Sequence, residues 1–356
     1  MKSKNMPVAE RILVIRYRFI GDTILTVPFL RNLREAYPQA VIDVLVGPKS
    51  GEVLQNCPYV NELLPFDTTR FHKYDRGEGK PRSLLSYALS LRKRKYDMVF
   101  VLKRSFSSAL LAFLSGARLR VGYRGDGHFL LTHKVPFDTG IHEVESLLAN
   151  LKVLQIPVGS KELESFPSGA ELTRVKELVP EVLEPGRRVL IHAAAAHPDK
   201  MYPLASWALL IRRLWEELAL KPVFSGDKQD IPLYEELTAL AAVPCLNLAG
   251  RLNLRESMAL YTFMDLAVCV DSGPSHLAAS AGVPTVTLFG PTDPVRWGPY
   301  GSKHRSVLDE SLACRPCHYK KTCDNRPCLT DLSAERVFKV CKEQLKATAL
   351  PSSPDP

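Results

Sequence analysis

The chain contains no run of 18 or more apolar residues, although 46% of its 356 residues are hydrophobic. A helix that crosses a bilayer needs about 20 of them in sequence, so no segment is expected to span a membrane. The opening stretch MKSKNMPVAERILVIRYR is basic, but its apolar run of only about five residues is short for a secretory signal and reads as a first β-strand. The protein is therefore expected in the cytoplasm. No Gly-x-Gly-x-x-Gly follows the first strand of either half, which disfavours a nicotinamide enzyme. No Asp-x-Asp occurs anywhere, so an obligatory divalent metal on a diphosphate is not indicated, and no cofactor is expected. Internal repeats and low-complexity segments are also missing.

What is present is an alternation of short β-type runs and helical patterns, repeated twice. The runs RILVIR (11–16), AVIDVLVG (40–47), NELLPF (61–66), DMVFVLK (97–103) and ARLRVGY (117–123) alternate with helical stretches at 22–36, 83–95 and 106–115. A second set begins at RRVLIHA (187–193) and ends at PTVTLFG (284–290). Alternation of this kind produces parallel sheets covered on both faces. The boundaries expected are a first domain at 1–165, a linker at 166–186, a second domain at 187–330, and a C-terminal helix and tail at 331–356. In such sheets ligands bind beyond the carboxyl ends of the strands, and each unusual loop described below lies at such an end.

The net charge is +9, and it is concentrated: residues 70–134 carry 15 Lys/Arg against 4 Asp/Glu. A local excess of this size predicts an anionic partner for that region. A nucleic acid is one alternative, but the region lacks the regular aromatic interleaving of single-strand binders, and no nucleic-acid partner is expected. Eight cysteines in so long a chain do not make a disulfide framework. Cys57, Cys245, Cys269 and Cys341 sit in apolar, turn or helical contexts and read as structural. Cys314, Cys317, Cys323 and Cys328 have the spacing C-x2-C-x5-C-x4-C, compact enough for a structural zinc. The same spacing suits a paired-thiol or packing element.

The strongest signal is VCVDSGPSHLAASAGVPTVTLFGPTDP (268–294). A strand ends at Asp271, Ser272-Gly273-Pro274 makes a tight turn, and a helix opens. Free N–H groups and the positive end of the helix dipole favour an anion there, and a phosphate-bearing ligand fits. His276 lies in that first turn. Gly290, Thr292 and Asp293 form a second polar loop beside it. Lys200, after the first strand of this half, is placed to meet the same phosphates as a point charge. Asp227 or Asp230 is available for ribose hydroxyls. In the first half, VIRYRFIGDTILTVPFLRNL (14–33) runs an apolar strand into Arg16 and Arg18, then Gly21-Asp22 and a helix. A turn that only reversed the chain would need neither the arginines nor a carboxylate. Gly21 is expected to make that turn.

These motifs, with HEVESLLANLKVLQIPV (142–158) and the late cysteine stretch, resemble glycosyltransferase family 9, the bacterial heptosyltransferases of the lipopolysaccharide inner core. The resemblance extends over essentially the whole chain. It implies an α/β architecture of GT-B type: two Rossmann-like, doubly wound parallel-sheet domains facing across a cleft. It implies an inverting transfer of heptose from ADP-heptose to an anionic lipopolysaccharide-precursor acceptor, at the inner face of the inner membrane of a Gram-negative cell. By position it makes Asp22 the catalytic base and Lys200 the diphosphate holder. Asp271, Ser272, Gly273, His276, Asp227 and Thr292 would line the donor site. Arg16, Arg18, Lys103, Arg104 and Arg124 would contact the acceptor, and 92–95 would sit against anionic lipid. One departure is the run Ala193-Ala194-Ala195-Ala196, where the family often has Thr or Ser. The rival enzyme class is a nucleotide-sugar epimerase of the same fold.

Overall fold

A computed structural model of the chain describes residues 6–67, 83–319, 323 and 325–349. The basic residues among 70–82 and Lys320, Lys321, Thr322 and Asp324 of the cysteine stretch lie outside the described residues. The chain divides into two units, 1–166 and 167–356.

The first unit runs β1 (Arg11–Ile15), α1 (Ile20–Ile24), α2 (Val27–Ala36), β2 (Val41–Val46), β3 (Glu62–Pro65), α3 (Leu84–Lys93), β4 (Met98–Val101), α4 (Phe106–Leu114), β5 (Leu119–Tyr123), β6 (His133–Val135) and α5 (Glu143–Lys152). Its strands form one parallel sheet in the order β3-β2-β1-β4-β5-β6. β1 and β4 read as unbroken apolar runs because both sheet faces are covered. Ile12, Leu13, Val14, Ile15 and all of β4 are buried. The helix expected over 22–36 is two helices, because Pro28 in the first turn of α2 cannot donate to a preceding turn.

The second unit runs α6 (Gly169–Leu178), β7 (Arg187–His192), α7 (Leu204–Leu218), β8 (Leu220–Phe224), α8 (Ile231–Ala241), β9 (Leu246–Asn247), α9 (Leu254–Tyr261), β10 (Leu266–Val270), α10 (Gly273–Ser280), β11 (Thr285–Leu288), α11 (Pro294–Trp297), β12 (His304–Val307), α12 (Pro327–Thr330) and α13 (Ala334–Ala349). Its parallel sheet has the order β12-β11-β10-β7-β8-β9, the same winding as the first. In each sheet the direction of winding reverses at one place, between β1 and β4 or between β7 and β10. Ligands of doubly wound folds gather at that switch point.

The stretch expected to be a linker, 166–186, is instead largely folded into the second unit. Ser168 and Glu171 close a capping box on α6. The Arg255 guanidinium then grips both oxygens of Glu171 at 2.8 Å, tying α6 to α9. This bidentate pair, with the Ser168 contacts, holds the Glu171 carboxyl down to about 2. Val337, Phe338 and Cys341 carry α13 into the core of the same unit.

Candidate functional site

Arg16 follows β1, at the switch point of the first sheet, and only 8% of its side chain is exposed. Its Nη1 donates to the Leu102 carbonyl beyond β4, fixing the guanidinium across the two central strands. Its Nη2 is shared, 2.6 Å from Asp22 Oδ1 and 2.8 Å from Glu143 Oε1. Burial works against the charged guanidinium, yet the two carboxylates outweigh it and Arg16 titrates above its ordinary value. Glu143 is buried in the first turn of α5, where the helix dipole also favours an anion. Asp22 is the reachable member, with 22% of its side chain exposed.

The turn that presents Asp22 is strained. Arg18 (φ 93°) and Phe19 (φ 49°) both occupy left-handed backbone, which side chains disfavour. Gly21, expected to make the turn, lies inside α1 and is buried. The glycine rule fails here because the chain leaves β1 two residues earlier than the motif suggests. Asp22 belongs to the first turn of α1 and is not its N-cap, a position held by Phe19.

Lys103 follows β4 and lies on the Tyr17 ring, its Nζ 4.0 Å from the centroid. Burial, then the charges of Arg18 and Arg16, lower it to about 7 against the opposing pull of Asp22. Arg104 and Arg124 are exposed, and Arg104 stacks on Phe137 at 4.1 Å. Arg16, expected to meet an acceptor, is held within the fold instead. Its buried guanidinium is committed to a carbonyl and two carboxylates, so it positions Asp22.

In the second unit the switch point gathers Lys200, Asp271 and Thr292. Lys200 Nζ lies 2.7 Å from Asp271 Oδ2, and the Thr292 hydroxyl donates to the same oxygen at 2.5 Å. Asp271 is buried, with 7% of its side chain exposed against 20% for Lys200. Burial alone would lower Lys200, but Asp271 and then Tyr319 hold it above its ordinary value. The buried Asp271 carboxylate thus fixes the position of the Lys200 ammonium. Beside it, Ser272 makes no side-chain cap and donates its hydroxyl back to the Val270 carbonyl. The opening of α10, with Gly273 at its first position, is thus free of a side-chain cap, as an anion site requires.

His276 is buried, and His304 is held down to about 4 by its own burial first and by the neighbouring His276 second. Asp227 is exposed after β8 and caps the short turn Lys228–Asp230, whose Asp230 accepts from the Asp227 N–H. Asp227 therefore stands one strand away from the switch point.

The cysteine stretch is a brace. Arg315 donates to the Gly290 carbonyl at 2.6 Å, the His318 N–H to the Pro291 carbonyl at 2.9 Å, and Arg326 to the Pro198 carbonyl. Gly290 admits this packing because a Cβ there would stand 2.8 Å from Leu329 Cδ1. Tyr319 stacks on His197 at 4.1 Å, next to Lys200. Cys314 and Cys323 are exposed while Cys328 is buried in the core. Among the described residues no three His, Cys, Asp or Glu stand close enough to hold a metal ion. Glu143, Arg315 and Tyr319 are the site residues that motif reading missed. Each lies within a stretch read above for other residues.

The family model described as "Glycosyltransferase family 9 (heptosyltransferase)" matches residues 84–328. Lipopolysaccharide heptosyltransferase 2 of Escherichia coli K12 is 29% identical over 319 residues, covering 83% of this chain and 87% of that one. Among solved structures, E. coli ADP-heptose lps heptosyltransferase II superposes with a TM-score of 0.73 at 26% identity, over 96% of this chain and 100% of the other. A family 9 glycosyl transferase from Veillonella parvula gives a TM-score of 0.83 at 22% identity, covering 95% and 98%, a likeness of fold. The two doubly wound sheets are those of the GT-B class, as the sequence led us to expect. With the model matched across more than half its length, this chain belongs to glycosyltransferase family 9, the heptosyltransferases.

Proposed function

We propose that this protein transfers heptose from ADP-heptose to an anionic lipopolysaccharide-core acceptor, with inversion at the anomeric carbon. Asp22 takes the proton of the acceptor hydroxyl as its oxygen forms the new glycosidic bond and the bond to the diphosphate breaks. Arg16 holds that carboxylate in place, and general-base assistance of this kind contributes about 10²–10⁴-fold. Lys200, aimed by Asp271, and the amide groups opening α10 take up the charge of the departing ADP. Lys103, Arg18, Arg104 and Arg124 attract the acids and phosphates of the acceptor, which brings the enzyme to the inner face of the inner membrane.

The reading rests on one feature above the others. A reachable carboxylate, fixed by a buried guanidinium, stands at the switch point of a chain whose relatives are lipopolysaccharide heptosyltransferases. The test is to incubate the full-length protein with ADP-heptose, with and without heptose-deficient lipopolysaccharide, and to measure free ADP and heptosylated product. ADP release that depends on the acceptor supports transfer. Interconversion of the sugar without acceptor and without ADP release would replace transfer by epimerisation.

A further inference from the structure

Singly exposed apolar side chains are ordinary on protein surfaces, but five of the eight large ones that the described residues of the first unit expose gather on α3, α4 and the turn after β5. On α4, Phe106, Leu110 and Phe113 recur at i, i+4 and i+7 and so share one helix face. Phe106 and Phe113 are each 48% exposed, while Ala109, Leu111 and Ala112 fill the core side. The turn His128–Leu130 packs on α4 and adds Phe129, 69% exposed, its ring 6.4 Å from that of Phe106. α3 lies beside α4 and turns Leu85 and Leu89 outward. One turn further along the same helix come Arg92 and Lys93, also exposed.

The charged residues of the stretch that builds this face are mostly of one sign. Residues 83–134 carry 10 Lys/Arg against 2 Asp/Glu. Arg120 lies over the Phe113 ring at 5.5 Å, and Arg118 and Arg124 stand exposed beyond it. Exposed rings and leucines on two packed helices, with Arg120 over one ring and Arg92 and Lys93 on the same helix as the leucines, match a bilayer interface, where the rings enter the acyl boundary and the cations meet anionic headgroups. A second copy of this chain is a poor occupant, because a symmetric contact would set these cations against each other.

We propose that the face built by α3, α4 and the His128–Leu130 turn is a docking surface for a bilayer rich in anionic lipid. The proposal deepens the reading of a lipid-linked acceptor and rests on it for the identity of the membrane. The face itself does not depend on the chemistry of the site.

The test uses the full-length protein and vesicles of phosphatidylethanolamine with phosphatidylglycerol, against vesicles of phosphatidylcholine. Sedimentation should show binding to the anionic vesicles that weakens with salt. Replacing Phe106, Phe113 and Phe129 together by Ser should reduce that binding about tenfold or more, as should Arg92→Glu with Lys93→Glu. Turnover with a delipidated, soluble acceptor should stay unchanged in both. Because a triple variant can misfold, Phe129→Trp supplies a second reading: its added emission should shift to the blue with anionic vesicles and not with phosphatidylcholine. Equal binding by wild type and the triple variant, no wild-type binding to anionic vesicles, or an unshifted emission from the Phe129→Trp variant overturns the proposal. So does loss of a dimer in the triple variant with vesicle binding intact. Vesicle binding without heptose transfer would sink the enzymatic reading and leave the docking face standing.

Discussion

The two units share one winding and hold opposite charges at the place where it reverses. In the first, a buried cation, Arg16, holds the more exposed anion, Asp22. In the second, a buried anion, Asp271, holds the more exposed cation, Lys200. Exposure separates the partners in the same way each time, 8% against 22% and 7% against 20%, so the inner residue fixes the outer one, which in the proposed function is the one that meets the substrate. Each inner residue also has a second partner, Glu143 or Thr292, that holds it in place independently of the outer one. In the proposed function, a base and an electrostatic clamp are thus made from one winding used twice, by exchanging the sign of the aimed group.

The largest expected effect tests the first unit. Asp22→Asn should lower kcat by about 10²–10⁴-fold while leaving ADP-heptose affinity, measured by calorimetry, nearly intact. A variant that keeps its turnover would remove Asp22 from the reaction. The matching change in the second unit is Lys200→Ala, which should weaken ADP-heptose binding by about ten- to a hundredfold through loss of a charged hydrogen bond. Asp271→Asn should cost less, since it acts through Lys200. If Asp271→Asn is the more damaging of the two, the aimed-and-aiming division fails in the second unit.

Much of this was legible in the sequence where local chemistry decides the outcome. Central strands buried on both faces must be apolar, so β1, β4, β7 and β10 stand out. The edge strands β6 and β12 read HKV and HRSV, and neighbouring strands alone select them. Asp22, Lys200 and Asp271 were visible because they follow apolar runs at strand ends. Glu143 was not, because it stands 127 residues from Arg16 and only the closed sheet joins them. The turn at Arg18 and Phe19 was hidden for another reason: propensity assigns left-handed backbone to glycine, and tertiary packing overrode it.

Glu143 sharpens the comparison further. It competes with Asp22 for one guanidinium nitrogen; Arg16 also feels Tyr123, and Lys103 feels Arg16, Arg18 and Asp22. Glu143→Gln removes one negative charge and leaves all of Arg16 to Asp22, favouring its ionised form. The acid limb of the kcat profile should therefore move to lower pH, and kcat at its plateau should fall on the order of threefold as the base weakens. Donor KM should not change. An unmoved limb in a folded variant would reduce Glu143 to a packing role.

The smallest effect concerns Lys103. Its folded value near 7 lies below the ordinary lysine range, because burial and two arginines oppose its charge. Below that value the ammonium is present and attracts an anionic acceptor. As pH rises through it, the free enzyme loses the charge, and an acceptor must bring a proton back to the lysine on binding. Acceptor KM should then rise several-fold between about pH 6 and 8.5 as the proton is lost, with donor KM flat over the same interval. Lys103→Met should show the weak, high-pH affinity throughout and lose the dependence. Lys103→Arg, charged at every pH in the range, should hold the strong affinity, and a wild-type acceptor KM independent of pH would show that Lys103 does not meet the acceptor.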